Sequence, residues 1–363
     1  MNRKIAIDAL QLSESAAGVG NYQFRLINEL RDFPFDFDVY VSRSGILEPS
    51  ANMNIITVPG IESSRRRLAF QLFRFGNVLK NSGCALVHFL DYMTPLKDFP
   101  SKKLVTIHDL SFFTGQPYFT RSAAAFKRRQ IPRALKNCDG IITVSNFTKS
   151  EIMRYFPKTD SEKITPVHLG ADIKPAEKSA LPNGIKPPFV LFVGTVEPRK
   201  NIAALIKSME ILWDGGETAD LVIAGKLGWL YGEVTDCAKR SPHAHKIKFT
   251  GFIQKGELEA LYAGAELFAF PSLYEGFGLP PLEAMGRGLA VVSSDKASMP
   301  EVLGSAALFA DSPSAAAEKI GFLLNNKEER ERRASLGLAR CREFSWRKTA
   351  EKTAEIYEKL LSE

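Results

Sequence analysis

The sequence predicts an α/β chain of two doubly wound domains, each built on a mostly parallel sheet and facing the other across a cleft. Two observations predict this. Short apolar runs of strand length alternate with longer amphipathic stretches, once in residues 1–173 and again in residues 189–345, which is the pattern of βαβ units. Between them, "KPAEKSALPNGIKPP" at 174–188 holds four prolines, one glycine and no hydrophobic period, as an exposed interdomain connection does. At 363 residues the chain is too long for one ordinary core and suits two domains of roughly 150–200 residues.

The elements follow in order. "KIAIDA" (4–9) is a short apolar run interrupted by Asp8, so the basic start reads as a first strand and not as a signal peptide. A helix is expected from about Asn21. "LVTIHD" (104–109) and "GIITVS" (140–145) are further buried strands, the second followed by the helical text "NFTKSEIMRYF". After the linker the pattern restarts with "FVLFVGTV" (189–196), "ADLVIAG" (219–225), "IKFTGFI" (247–253), "ELFAFPS" (266–272) and "AVVSS" (290–294). Residues 346–363 have apolar or small residues at helical spacing and are expected to close the chain as an amphipathic helix packing back on the first domain.

Composition removes several functional classes. With 45% hydrophobic and 25% charged residues the chain is that of a globular protein, and no stretch reaches membrane-spanning length. Cys84, Cys138, Cys237 and Cys341 are far apart and form no C-x-x-C pair, which points to reduced thiols in a cytosolic protein without structural zinc. Charge is uneven: residues 1–175 hold 24 Lys+Arg against 16 Asp+Glu, or +8, and residues 176–363 hold 24 against 25, or −1. A basic half suits a polyanionic or membrane-surface partner, or only a solubilised surface. The segments "SSRRRLAFQLFRFGNVLK" (63–80) and "RSAAAFKRRQIPR" (121–133) read as basic helices. They can rest on an anionic bilayer or turn their apolar residues into the domain's own core. No nucleic-acid module is present.

The motifs sit where open parallel sheets bind ligands, just after strands. "PSLYEGFGLPPLEAMG" (271–286) places Glu275 in a turn and Glu283 in the first turn of a helix that Pro280 and Pro281 suit as a start. Gly276 and Gly278 let backbone approach a ligand, and carboxylates suit sugar hydroxyls. "FVGTVEPRKN" sets Arg199 and Lys200 before a helix beginning near Asn201, two cations able to neutralise a diphosphate. "SAAGVGNYQF" puts Gly18 and Gly20 in a loop before a helix, but Gln23 stands where a dinucleotide fingerprint needs its third glycine, which disfavours a dehydrogenase. His108 and Asp109 end a strand with no second histidine near enough for a metal site.

Together the Glu-Pro-Arg-Lys-Asn and Glu-x7-Glu elements, in this order along the chain, resemble glycosyltransferase family 4, whose members have the GT-B fold of two Rossmann-like domains. The resemblance spans nearly the whole chain, and its wording is most similar to bacterial mannosyltransferases of surface-polysaccharide synthesis. It implies a retaining hexosyltransferase using a nucleotide diphosphate sugar, with GDP-mannose favoured and a UDP-sugar second. It assigns Glu275 to the donor sugar, Glu283 to the ribose, and Arg199 and Lys200 to the diphosphate. Gly276, Phe277, Gly278, Leu279 and Ile253 join them as donor contacts, with Gly18 and Gly20 near the donor phosphates and acceptor. His108 would reach the donor sugar from the first, acceptor-binding domain. Thr195 stands where many members have a further arginine. No metal and no other cofactor is implied, and the acceptor would be a saccharide or lipid-linked saccharide. The location implied is cytoplasmic, with peripheral attachment to the inner membrane face raised by the basic half. A sugar-nucleotide epimerase or a non-catalytic sugar-nucleotide-binding subunit of the same fold are the competing readings.

Overall fold

The computed structural model describes residues 3–12, 18–174 and 180–363. Five residues of the glycine loop (13–17) and five of the expected linker (175–179) lie outside the described residues. The chain divides into two compact units. One comprises Met1–Phe113, Ala124–Gly170 and Trp346–Glu363, the other Thr114–Ala123 and Ala171–Ser345. The short segment Thr114–Ala123 therefore groups with the second unit, although it lies within the sequence range expected for the first domain.

The first unit contains β1 (Lys4–Ala9), β2 (Asp36–Val41), β3 (Met53–Thr57), β4 (Leu86–Phe89), β5 (Lys102–Ile107), β6 (Gly140–Thr143) and β7 (Ile164–Pro166). They form one parallel sheet in the order β3-β2-β1-β4-β5-β6-β7. Ile5, Ala6, Ile7, Leu86, Val87, Leu104 and Val105 are fully buried, as strands covered on both faces must be. The order reverses between β1 and β4, so a crevice opens beyond their C-terminal ends.

The second unit repeats this arrangement with β8 (Phe189–Val193), β9 (Asp220–Ala224), β10 (Ile247–Gly251), β11 (Leu267–Phe270), β12 (Val291–Ser293) and β13 (Leu308–Phe309). Its parallel order is β10-β9-β8-β11-β12-β13, and the reversal lies between β8 and β11. Both halves of the glutamate and lysine motifs thus emerge at one switch point.

The closing helix Trp346–Ser362 belongs to the first unit. Trp346, Thr349, Ala350, Thr353, Ala354, Tyr357 and Leu360 are buried, the three- and four-residue spacing of one apolar face. Tyr357 is edge-on to Phe35 at 5.6 Å, and its hydroxyl lies 2.7 Å from His88 Nδ1 on β4. His88 Nε2 lies 2.9 Å from Thr106 Oγ1, and burial pushes its pKa down to about 3. Several strands stop earlier than the sequence suggested. β5 ends at Ile107 and leaves His108 and Asp109 in a loop, where Asp109 Oδ1 accepts from Ser111 N–H and Oγ–H; β10 ends at Gly251, ahead of Ile253.

Candidate active site

In the second unit the segment after β8 turns through a 3-10 helix, Pro198–Lys200. Asn201 then adopts a left-handed conformation (φ 55°) before the helix Ile202–Asp214. The segment after β11 runs alongside it. Leu273 N–H donates to Arg199 O (2.8 Å), Ser272 Oγ–H to the same carbonyl (3.2 Å), and Asn201 Nδ2 to Pro271 O (3.3 Å). These bonds fix two sequence-distant loops as one surface.

Four ionisable groups meet there. Lys200 Nζ reaches Glu275 Oε1 at 2.5 Å and Arg199 Nη1 reaches Glu275 Oε2 at 2.8 Å, while Arg199 Nε lies 2.7 Å from Glu197 Oε1. Ser272 Oγ–H also donates to Glu275 Oε1 (2.6 Å). Burial opposes the charge on Glu275, but Arg199 and Lys200, with hydrogen bonds from Lys200 and Ser272, hold its pKa at about 2. Burial lowers the Lys200 ammonium despite Glu275, and raises Glu197 despite Arg199 and Lys200. Lys200 stands 5.1 Å above the Phe270 ring. The group is an anchored, nearly charge-balanced ion cluster, and an anionic ligand arriving there finds two cations already desolvated and oriented.

The turn that carries Glu275 is equally fixed. Ser298 Oγ–H bonds the carbonyls of Glu275 and Phe277, each at 2.9 Å, and Phe277 packs edge-on against Phe344 at 5.7 Å. Gly278 has φ 100°, and a Cβ there would stand 2.2 Å from Met299 Cε, so only glycine fits. The helix Leu279–Gly286 follows, with Gly276, Phe277 and Leu279 buried. Glu283 is its fifth residue and so lies in the second turn, not the first as the sequence suggested, because the helix begins at Leu279. Pro280 and Pro281 occupy its second and third positions and carry no N–H. Glu283 is half-buried on this helix, whereas Ile253 sits in the loop between β10 and the helix Lys255–Gly264 and makes no described contact with the ion cluster.

The remaining expected residues belong to the first unit. Gly18 is the N-cap of the helix Val19–Leu30 with φ 59°, a conformation suited to glycine, and Gly20 is the second helical residue. His108 Nε2–H donates to Leu90 O (2.9 Å), and its ring lies edge-on to Tyr22 at 4.9 Å. At this unit's own switch point stand two carboxylates that the sequence reading missed. Asp8, last but one in β1, accepts from Leu10 N–H (3.1 Å) and Gln71 Nε2–H (3.0 Å), and burial raises its pKa to about 6. Asp91, just after β4, accepts from Tyr92 N–H (2.7 Å) and Gln11 Nε2–H (3.3 Å), and burial likewise raises it. The signal was a carboxylate set at the end of an otherwise apolar strand. Glu197, Ser272 and Ser298 were also missed, although Glu197 lies inside the Glu-Pro-Arg-Lys-Asn run.

Among the described residues no group of three or more His, Cys, Asp or Glu is placed to hold a metal ion. An Asp-x-Asp spacing, expected to be absent from the chain, does occur once, as Asp36 and Asp38 in β2, where Asp38 pairs with Lys4 at 2.8 Å. The four cysteines form no disulfide.

Two family models divide the chain: "Glycosyltransferase Family 4" matches residues 16–174 and "Glycosyl transferases group 1" matches residues 174–337. O-antigen chain mannosyltransferase B of Escherichia coli is 33% identical over 269 residues, 71% of each chain. O-antigen chain mannosyltransferase RfbU of Salmonella typhimurium is 26% identical over 324 residues, 84% of this chain and 85% of that one. Among solved structures, sucrose-phosphate synthase of Thermosynechococcus elongatus superposes with a TM-score of 0.79 at 19% identity, covering 99% of both chains. With two parallel Rossmann-type sheets, the matched models and these relatives, the chain belongs to the GT-B glycosyltransferases of family 4 and is a glycosyltransferase.

Proposed function

We propose that this glycosyltransferase moves mannose from GDP-mannose to a hydroxyl of a saccharide or lipid-linked saccharide during polysaccharide assembly, with retention of configuration and without a metal ion. The observation that carries the reading is the Arg199–Lys200–Glu275 cluster at the β8/β11 switch point. The names of the mannosyltransferases to which the chain is similar supply the choice of sugar.

In this reading Arg199 and Lys200 neutralise the leaving diphosphate, aided by N–H groups near Gly278 and Leu279. Glu275 keeps both cations in place. Three of the about four lone-pair sites of its carboxylate are occupied, so it offers the donor sugar a single further hydrogen bond and not a bidentate grip. Glu283 binds the ribose, Ile253 lies beside the base, and Gly276 and Phe277 line the sugar pocket. The acceptor binds the first unit near Gly18, Gly20 and His108. The leaving diphosphate takes the acceptor's proton as the sugar departs from the same face. The enzyme works in the cytoplasm, attached peripherally to the membrane that holds its acceptor.

Incubation with radiolabelled GDP-mannose, with and without a lipid-linked saccharide, tests this. Mannosyl transfer that persists in excess EDTA is expected. Transfer only from a UDP-sugar would replace the donor, isomerised nucleotide sugar would indicate an epimerase, and tight binding without turnover a recruiting subunit.

A further inference from the structure

The first unit contains a concave site that the transfer reaction leaves unused. A cavity of about 260 Å³ opens between the loop leading from β4 to β5 and the C-terminal half of the helix Arg121–Asn137, lined by Pro95, Lys97, Asp98, Lys103, Arg133 and Asn137 among others. Lys103 is the second residue of β5 and His108 follows its last, so about 17 Å of strand separates this site from the C-terminal strand edge that carries His108.

The charges here are unequal. Asp98 is the one carboxylate, and Lys103 takes it at 2.9 Å. Among the described residues Lys97 Nζ–H donates to the amide oxygen of Asn77 (2.7 Å) and Arg133 Nη2–H to the carbonyl of Pro95 (2.5 Å), with no carboxylate paired to either. Among the described residues Arg133 Nη1 is buried with no hydrogen-bond partner, and burial holds the guanidinium below the ordinary arginine value. Two cations are thus answered by neutral dipoles, and one desolvated N–H group lacks an acceptor, an arrangement that an arriving oxyanion relieves. The volume falls below the ~300–1,000 Å³ of pockets that hold drug-sized ligands, too small for a nucleotide sugar and adequate for one phosphate group.

We infer that this cavity binds a terminal phosphate group, held by Arg133 and Lys97, at the end of the first unit's sheet opposite to His108. The group belongs either to a free phosphate or to the headgroup of a phospholipid.

Equilibrium dialysis against labelled inorganic phosphate, at constant ionic strength with chloride as the balancing anion, tests the inference. Sedimentation with phosphatidylcholine vesicles, with and without phosphatidic acid, forms the second arm. Each of Lys97→Gln and Arg133→Gln removes one charge-assisted hydrogen bond and should weaken binding about 10-fold or more. Arg199→Gln should leave this site filled, which separates it from phosphate held by the donor cluster. Dependence of phosphate binding on Lys97 and Arg133 supports a free-anion site. The same dependence confined to phosphatidic acid vesicles supports the headgroup. Binding of neither probe at low ionic strength, or binding unchanged in the variants, overturns the inference. Lys97 is exposed, so Lys97→Gln carries the test alone if circular dichroism shows Arg133→Gln to be unfolded.

Discussion

A single carboxylate, Glu275, ties the two motifs of the second unit together. Replacing it by Gln keeps its shape and removes the charge that holds the buried Lys200 and Arg199. Turnover should fall by about 10²-fold or more, the scale of a lost transition-state positioning group, with a lower urea midpoint because a buried ammonium loses its counter-ion. Wild-type turnover in a folded Glu275→Gln protein would defeat the assignment. Asp8 supplies a second test through pH. Its folded pKa, about 6, lies above its ordinary 3.8, so the native state binds the proton more tightly, and this stabilisation is complete below 3.8 and lost as pH rises through 6. Asp8→Asn has no such loss. Relative to wild type it should gain stability between pH 4 and pH 7, by up to roughly 3 kcal/mol from a shift of about two units, read from urea midpoints at the two pH values. The site was legible where chemistry is local: Arg199, Lys200 and Glu275 sit in compact motifs and do meet. Ser298 was not legible, because its hold on the turn comes from a segment 23 residues beyond Glu275 and leaves no local pattern.

The closing helix is attached to the first unit through a polar contact inside an apolar interface. Tyr357→Phe keeps the ring packing and leaves His88 Nδ1 buried without its partner, which should cost about 1–3 kcal/mol. Chemical denaturation followed by circular dichroism measures this, and an unchanged midpoint would mean that the hydrogen bond contributes nothing. The acid limb has a definite sign. His88 is held neutral at a pKa of about 3 against an ordinary 6.5, so its stabilising contribution is complete above 6.5 and is lost as pH falls toward 3. Strand legibility follows the same physics. The long apolar runs at β1, β5, β8, β9 and β11 announced themselves, whereas β4 is four residues long with a histidine in it, and β2 carries Asp36 and Asp38. Their polar groups are satisfied by tertiary partners, Tyr357 and Thr106 for His88 and Lys4 for Asp38, which no local pattern contains. The ends of strands were overread for a related reason: residues such as His108 continue the apolar text but turn away at the sheet edge to bond loop carbonyls.

At the scale of the whole molecule the uneven charge asks for a partner, and the structure sharpens where to look. Of the basic cluster on the helix Ser64–Phe73, Arg65 and Arg66 are exposed. Arg67 is half-buried, and burial and the neighbouring Arg43 hold its guanidinium below the ordinary arginine value against the opposing pull of Asp8. The apolar residues divide as well: Leu72 and Phe75 enter the core, whereas Phe73 is 63% exposed beside the exposed Arg74. The stretch is therefore divided, with Leu72 and Phe75 in the core and Arg65, Arg66, Phe73 and Arg74 facing outward. No helix among the described residues is long and apolar enough to cross a membrane. Each arginine near an anionic surface contributes about 1 kcal/mol, and three together would change partitioning by roughly two orders of magnitude at low salt. Replacing Arg65, Arg66 and Arg74 by Ser should therefore abolish most sedimentation with phosphatidylserine-containing vesicles while donor-nucleotide affinity stays unchanged, since Arg199 and Lys200 are untouched. The effect should shrink as salt rises, because exposed charges are screened over a Debye length of about 10 Å at 0.1 M. Wild-type protein that ignores anionic vesicles at low ionic strength would end the surface-binding reading and leave the acceptor itself as the partner of the basic half.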